Sequence, residues 1–482
     1  MARCSFTRYP LLGLLLISLL SGGCATLARD EYVAPQTDLP DSWSNEAAQQ
    51  KEILRAGKFW EEFQDPILNL LIEEALQRNN DILAAAIQVQ RARLEAGISR
   101  TDLYPKPSAG ADVKRSYDLD NDTSGRSYGL SAGISYEVDL WNRYADSYQA
   151  AGIEVEASIA DRKSAELSVI GNLAELYWQI GYLKQSISLS RDSIANAEQL
   201  QRIVESKYAA GSADQADLLK SRQNLLSLQA GLTQEQQSLN EARHALAILF
   251  DRPPQEPATE PDNLPESPLP TITAGIPAEI LGNRPDLLAA ERRLRKSHAE
   301  IAITKASYYP SITLTGNFGT SSTQLRDILG NPLATLGSSL VLPFLQWDLT
   351  KLNIQVAETT YREAVVNFRT TLYTALAEVE NLLSARSQDL EQGELLQQVL
   401  NLAVRSEQIS ERRYQAGAED LRTLLEEQDS RRSAEKEVLE NRFRQLKETM
   451  QLYLALGGDI STDLLTGPDR QAAYQPTDNH QQ

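Results

Sequence analysis

Few residues in this chain combine the type and the spacing that metal or acid–base chemistry requires. The sequence contains three histidines, and His244 follows Glu241 with the Glu-x-x-His spacing of a di-iron helix. Such a site needs a second pair and two further glutamates, and no second pair occurs. The acidic segment DLDNDTSG at 118–125 lacks the glycine at position six and the glutamate at position twelve of a calcium loop. The sequence therefore predicts no metal, no cofactor and no enzymatic centre.

Cys24 is the one residue with a predicted chemical modification. Two arginines precede an apolar run at 11–20, and the small residues SGG lead directly into Cys24. This order is typical of a secretory signal peptide, and the run is shorter than the ~20 residues of a membrane-spanning helix. Bacterial lipoproteins carry their lipidated cysteine at this place. We therefore predict a signal peptide at 1–23 and a lipidated N-terminal segment at 24–58; the alternative is ordinary secretion with an incidental thiol.

The charge and the cysteine content exclude two further classes of function. Loss of the two arginines of the signal peptide takes the formal charge from −19 to −21, and so acidic a chain repels the phosphates of nucleic acids. Cleavage also removes Cys4, which leaves Cys24 as the one cysteine of the mature chain. No disulfide framework is then available.

Four short stretches recur at an offset of 205 or 206 residues. They are NNDILAAA and RPDLLAAE (79–86, 284–291), LYP and YYP (103–105, 308–310), EVDLW and PFLQW (137–141, 343–347), and KYAAG and RYQAG (207–211, 413–417). Register kept over so long a span predicts two copies of one unit. The predicted order is a first repeat at 59–250, a proline-rich connector at 251–276, a second repeat at 277–458 and a polar tail at 459–482.

Each repeat contains a pair of predicted strands, at about 106–140 and about 310–346. Apolar residues alternate with small or polar ones in RSYGLSAGISYEVDL (126–140) and again in SITLTGNFG (311–319). Such alternation, with one polar face of small residues, is typical of transmembrane barrel strands. Four strands are too few for a water-filled pore, and lipid tolerates no open sheet edge. We therefore expect several copies of the chain to share one barrel.

The rest of each repeat is predicted to be helical. A helix at 67–102, or at 277–307 in the second repeat, precedes the strands, and a much longer helix follows them. The first long helix runs over 144–210, 67 residues, or roughly 100 Å. Apolar residues recur in it every seven positions, at Leu173, Ile180, Ile187 and Ile194. This spacing indicates coiled-coil packing, and the predicted fold class is mainly α with a β-barrel portion.

Three stretches resemble one known family, the TolC-like outer membrane factors, and within it the NodT/OprM-type lipoprotein branch. They are FWEEFQDPILNLLIEEALQRNNDILAAAIQVQRAR (59–93), GIPAEILGNRPDLLAAERRLR (275–295) and the pair of Tyr-x-x-Gly turns. The resemblance implies that three chains form one tube. Twelve strands would span the outer membrane, each chain would be lipid-anchored at Cys24, and a long helical barrel would extend into the periplasm.

The resemblance also assigns the two turns, at 207–215 and 413–421, as hairpin tips. They would dock on a periplasmic adaptor (membrane fusion) protein and an inner-membrane RND-type pump. The docking residues would be Tyr208, Gly211, Tyr414 and Gly417. The chain would then be a passive exit duct for drugs or other small toxic compounds. The alternative is a periplasmic coiled-coil scaffold or adhesin lipoprotein with no pore.

A periplasmic gate follows from the same resemblance. An acidic residue nine positions after the second tip glycine helps to close the aperture in the family, and here that residue is Glu426. An acid six positions after the first glycine is matched by Asp217, whereas the corresponding residue of the second tip is Thr423. Tyr414 matches an aromatic gate position. Asp420 is added because it starts the returning helix, where the dipole favours a carboxylate. Three copies of Glu426 around one axis would form a cation-preferring constriction; the alternative is a solvated helix surface.

Overall fold

A computed structural model describes residues 32–44, 58–120, 122–272, 277 and 280–458. The predicted signal peptide, Cys24 and the C-terminal tail lie outside these residues. The chain divides into two compact units. The strand unit contains Arg91–Glu156, Glu291–Asn367 and the described residues up to Thr37; the helix unit contains the described parts of Asp38–Gln90, Ala157–Ala290 and Phe368–Gln482.

Most of the described chain is helical. The elements are α1 Pro66–Arg78, α2 Asn80–Thr101, β1 Lys106–Asp118, β2 Thr123–Val138, α3 Arg143–Ala209, α4 Gln215–Leu249, α5 Ile280–Asn283, α6 Pro285–Ala306, β3 Ser311–Ser322, β4 Pro332–Val341, α7 Trp347–Gln415 and α8 Leu421–Ala455. The longest helices, α3 and α7, contain 67 and 69 residues, and each leads through a short turn into a helix of 35 residues.

Both helices that precede the strands are interrupted, so the prediction of single helices over 67–102 and 277–307 was wrong. The first is divided into α1 and α2 at Asn79, whose side-chain Oδ1 accepts hydrogen bonds from the backbone N–H groups of Asp81 (2.9 Å) and Ile82 (3.3 Å). The second is divided into α5 and α6 at Arg284. Pro285 explains this break, because proline disfavours helical backbone at the residue before it.

The strand unit contains one antiparallel sheet with the strand order β1-β2-β3-β4. Lys106 pairs with Ser135 in β1–β2, and Ser311 pairs with Val341 in β3–β4. Within the described residues, β1 pairs only with β2 and β4 only with β3. The sheet therefore has two open edges within one chain.

One face of this sheet is mainly apolar across all four strands. Ala132 lies opposite Phe318, and Phe318 lies opposite Ala334. Large exposed residues on this face are Leu130, Ile134, Leu314, Phe318, Leu336 and Leu340. The other face carries Ser131, Ser135, Thr313, Thr315, Asn317 and Ser339. The two-residue period of the strands produces this separation.

The helix unit has its core around buried aromatic residues. The ring of Phe63 lies 5.0 Å from that of Trp178 and 6.1 Å from that of Tyr453. The Tyr177 hydroxyl donates a hydrogen bond to Asp65 (3.0 Å), whose carboxylate also caps α1. Full burial of one such side chain contributes ~1.5–3 kcal/mol, so these contacts hold α1, α3 and α8 together.

The described part of the predicted connector, 251–272, contains no helix or strand. It is nevertheless fixed to the helix unit, because two arginines bind its carbonyl groups. Arg442 donates to the carbonyl of Pro265 (2.8 Å), and Arg386 donates to that of Pro270 (2.6 Å). Leu264 of the same segment is buried. None of the helices in the described part of the chain combines the length and the apolar content that a membrane span requires.

Candidate functional site

The first hairpin turn, between α3 and α4, contains two backbone hydrogen bonds that end α3. The N–H of Gly211 donates to the Tyr208 carbonyl (3.0 Å), and the N–H of Ser212 donates to the Lys207 carbonyl (2.8 Å). This pair of bonds is the Schellman motif, which places its glycine in left-handed backbone. Gly211 accordingly has φ of +70°, a conformation that favours glycine.

The second turn, between α7 and α8, repeats this construction. Gly417 N–H donates to the Tyr414 carbonyl (3.1 Å), and Ala418 N–H donates to the Arg413 carbonyl (2.8 Å). Gly417 has φ of +72°. A Cβ added at Gly211 or Gly417 would meet no atom within 4 Å. The constraint on both glycines is therefore the backbone angle and not the available space.

An aspartate three residues after each glycine starts the returning helix. Asp214 accepts a hydrogen bond from the N–H of Asp217 (2.8 Å), and Asp420 accepts one from the N–H of Thr423 (2.8 Å). These bonds are N-caps. The Thr423 N–H bond, together with its hydroxyl, lowers the pKa of Asp420. Sequence reasoning singled out Asp420 but missed Asp214, although the spacing Tyr-x-x-Gly-x-x-Asp occurs in both turns.

The two turns belong to one small apolar cluster, which we name the tip cluster. Its buried members come from α3, α7 and α8, and Leu218 of α4 packs against them; they are Leu200, Val204, Tyr414, Leu421, Leu424 and Leu425. The tyrosines of the two turns differ in burial. Tyr414 is 7% exposed, whereas Tyr208 is 44% exposed. Equivalent sequence positions thus have different packing roles.

Lys207 covers Tyr414 across the two hairpins. Its Nζ atom lies 3.9 Å from the centroid of the Tyr414 ring, a cation–π geometry. Burial, followed by the negative charge of Asp217, raises the pKa of the Tyr414 hydroxyl. The structure therefore brings Lys207, Tyr414 and Asp217 near one another, and sequence reasoning missed Lys207.

Glu426 is not a member of the tip cluster and lies on the exposed surface of α8. Its Oε1 atom lies 2.9 Å from the Nε atom of Arg422, one turn earlier in the helix. The two side chains are 62% and 78% exposed. An exposed pair of this kind contributes little to stability, so the carboxylate is available to other charges.

Two residues fasten the ends of α4 and α8 in the helix unit. The Asn79 side-chain amide donates to the carbonyl of Leu249 (3.0 Å), and Arg284 donates to the carbonyl of Ala455 (3.0 Å). Arg284 also forms a two-bond ion pair with Asp286 (3.1 and 2.8 Å). Burial works to raise the pKa of Asp286, but the hydrogen bonds and charge of Arg284 outweigh it and lower this pKa. The RPD motif is thus a helix-end latch.

A second polar cluster lies between α7 and α8. The side-chain amides of Asn441 and Gln445 donate to the Asp389 carbonyl (3.1 and 3.0 Å). An Arg444 nitrogen lies 3.4 Å from the Asp389 carboxylate. Burial, then the charge and hydrogen bonding of Asp389, raises the pKa of Glu448 to about 7.

Neither the Arg284–Asp286 pair nor the cluster around Asp389 has a metal-binding arrangement. Among the described residues, no group of three histidine, cysteine, aspartate or glutamate side chains could hold a metal ion. His244, for which the sequence predicted no site, lies on the exposed side of α4.

The chain matches the family model described as outer membrane efflux protein over residues 71–250 and 276–458. It is 30% identical over 435 residues to the pyoverdine export outer membrane protein OpmQ of Pseudomonas putida, which covers 88% of this chain and 93% of that protein. It is 25% identical over 448 residues to the probable outer membrane lipoprotein SilC of Salmonella typhimurium, covering 90% of this chain and 96% of that protein.

A solved structure has the same fold. The open state of the MtrE outer membrane channel of Neisseria gonorrhoeae superimposes with a TM-score of 0.76 at 27% identity, over 89% of this chain and 98% of that chain.

Proposed function

The chain belongs to the outer membrane efflux protein family, and from this premise we propose that three copies form the exit duct of a tripartite efflux system. The duct passively conducts drugs or other small toxic compounds from the periplasm to the outside. An inner-membrane RND-type pump supplies the energy through a periplasmic adaptor. The family consists of channel proteins, which does not favour a scaffold or adhesin without a pore.

The observation that carries the proposal is the open four-stranded sheet. Its apolar face continues across all four strands, and β1 and β4 each have one free edge within the described chain. Free backbone edges are costly in lipid, and four strands cannot enclose a water-filled pore. Three copies joined edge to edge supply twelve strands and no free edge, with the apolar face toward lipid and the serine- and threonine-rich face toward the lumen.

Two side-chain hydrogen bonds to helix ends, from Asn79 to Leu249 and from Arg284 to Ala455, support the proposal that the chain consists of two tandem repeats. Asn79 and Arg284 are 205 positions apart, and their acceptors Leu249 and Ala455 are 206 positions apart. These offsets equal those of the recurring sequence stretches. The same contact at the same offset is expected when two copies of one unit fold alike.

The hairpin turns are proposed as the docking surface for the adaptor. Tyr208 and the two glycines are exposed, and the Schellman motifs give both turns one backbone shape that a repetitive partner could bind. Tyr414 does not form part of the exposed docking surface but supports it, because it is buried in the tip cluster.

The gate is proposed to use Asp217, Tyr414, Asp420 and Glu426. Three copies of Glu426 around the axis would repel one another and attract cations. Asp420 holds the start of α8 through its cap, and Tyr414 holds α7 against the first hairpin. The adaptor would open the aperture by separating the tip clusters.

A lipid on Cys24 is proposed to anchor the chain in the outer membrane. The SGG-Cys24 sequence supports this anchor, as does the similarity to a relative named as an outer membrane lipoprotein. Intact-mass measurement of the mature protein should give an N-terminus at Cys24 with added acyl mass. An unmodified N-terminus at another residue would refute the anchor.

Gene deletion tests the function in cells. We expect the deletion strain to accumulate, and become sensitive to, at least one compound in a panel of drugs and metals. The full-length gene should restore export, whereas a chain that begins at residue 24, and so cannot be secreted, should not. Unchanged accumulation and sensitivity across the panel would contradict the proposal.

A further inference from the structure

One tryptophan of the strand unit is packed and its sequence counterpart is not. Trp141 donates from its indole Nε1 to the carbonyl of Pro310 (2.8 Å), and its ring lies 4.9 Å from that of Tyr309. Trp347, the counterpart 206 positions later, is 71% exposed. Tryptophan is enriched at interfaces, where its ring packs on an apolar surface and its N–H finds an acceptor.

The two residues that Trp141 contacts also have counterparts in the first repeat. Tyr309 and Pro310 precede β3, and 205 positions earlier Tyr104 and Pro105 precede β1. Tyr104 is 53% exposed, and Pro105 is exposed as well. Trp141 thus packs against Tyr309 and Pro310 within the chain. The equivalent residues, Trp347 on one side and Tyr104 with Pro105 on the other, are all exposed.

The strand pairing places these parts in equivalent positions. Trp141 lies six residues after Ser135, which pairs with Lys106 at the end of β1–β2. Trp347 lies six residues after Val341, which pairs with Ser311 at the end of β3–β4. The tryptophans therefore leave their sheets at the same point of the register.

We propose that Trp347 of one copy binds Tyr104 and Pro105 of a second copy. Its indole N–H donates to the Pro105 carbonyl, and its ring packs on Tyr104. This inference rests on the proposed trimer and deepens it, because it names the contact that fixes neighbouring copies. The internal contact of Trp141 is its template.

The same equivalence gives the register of the β4–β1 pairing between copies. Ala132 lies opposite Phe318 within the chain. The counterpart of Ala132 in β4, 206 positions later, is Ser338, and the counterpart of Phe318 in β1, 205 positions earlier, is Val113. Ser338 should therefore lie opposite Val113 of the next copy. In this register Leu340 lies opposite Ala111. Val113 and Ala111 lie opposite Tyr128 and Leu130 in β1–β2, so the apolar face continues across the interface. A slip of one residue would reverse the faces, which supports the derived register.

Cysteine pairs test this register. Directly opposed strand residues lie within disulfide reach, and Cys4 and Cys24 are the two cysteines of the sequence. Val113→Cys with Ser338→Cys should give dimer and trimer bands on oxidation, and these bands should disappear with reductant. The internal pair Ala132→Cys with Phe318→Cys should stay at single-chain mass.

Two further measurements separate the contact from the assembly. Trp347→Phe keeps an aromatic ring but removes the N–H donor, so its trimer should dissociate at a lower temperature than wild type. The inference is overturned if wild type has a native mass of three chains but Val113→Cys with Ser338→Cys gives no crosslink. It is also overturned if Ser338→Cys crosslinks only with Ala111→Cys. Either result leaves the proposed duct intact. A native mass of one chain for wild type would overturn the trimer itself.

Discussion

Tyr414→Ala should loosen the hairpin tips, whereas Tyr208→Ala should not. The two tyrosines lie three residues before their turn glycines, yet Tyr414 is 7% exposed and Tyr208 is 44% exposed. Tyr414 is also covered by Lys207 at 3.9 Å. The pair therefore provides a variant and a matched control that remove the same atoms from equivalent positions.

The size of the effect follows from burial. Truncation of a buried aromatic side chain to alanine costs ~3–5 kcal/mol, and loss of a partly exposed cation–π contact adds ~0.5–1 kcal/mol. Six buried residues form the tip cluster, so its core is small and we expect the lower value, ~3 kcal/mol. Because ~1.4 kcal/mol is a factor of ten, local opening should become roughly a hundredfold more frequent. Tyr208→Ala should change the local free energy by ~0.5 kcal/mol or less.

Hydrogen exchange on the purified protein measures this opening directly. The amides of Leu424 and Leu425 should lose protection in Tyr414→Ala and keep it in Tyr208→Ala. Under the gate proposal, Tyr414→Ala should also raise single-channel conductance. Equal protection in the two variants would refute the assigned role of Tyr414 in the tip cluster.

Three further predictions concern the turns, the gate and pH. Replacing Gly211 and Gly417 with Val should destabilise each turn by ~1–2 kcal/mol and reduce efflux with trimers intact. Replacement with Asn, which tolerates positive φ, should be accepted. Full efflux in the double Val variant would place docking elsewhere. Glu426→Ala with Asp217→Ala should raise conductance and weaken cation preference, and unchanged values would remove both residues from the gate. The Glu448 pKa is raised from 4.5 to about 7, so its contribution to stability is full below pH 4.5 and lost as pH rises through about 7. Glu448→Gln should flatten the melting temperature between pH 5 and 8, and an unaltered pH dependence would contradict the assignment.

The long elements were readable from the sequence because their signals are local and periodic. Seven-residue spacing predicted a helix at 144–210, and α3 spans Arg143–Ala209. Alternation placed the strands, because a two-residue period has no helical interpretation. The turn glycines were equally visible, since only a few residue types adopt positive φ.

The helix breaks and the tip chemistry were harder to predict. Pro285 marked the break before α6 in the sequence, whereas the break at Asn79 includes a tertiary contact, the bond from its amide to Leu249, 170 residues away. The cation–π contact of Lys207 with Tyr414 is likewise a tertiary contact that no local pattern encodes. The burial difference between Tyr208 and Tyr414 has the same origin, because identical turns meet different neighbours.

Planar-bilayer recording shows whether three copies of this chain form a conducting duct. The protein should be purified with its N-terminus intact, shown by native mass to contain three chains, and added to a bilayer. Discrete conductance steps should appear, and they should disappear after the sample is heated to single chains. A stable trimer that gives no conductance would contradict the proposed duct. So would a Cys24→Ser variant that is a soluble single chain, if neither the variant nor the wild type gives conductance steps.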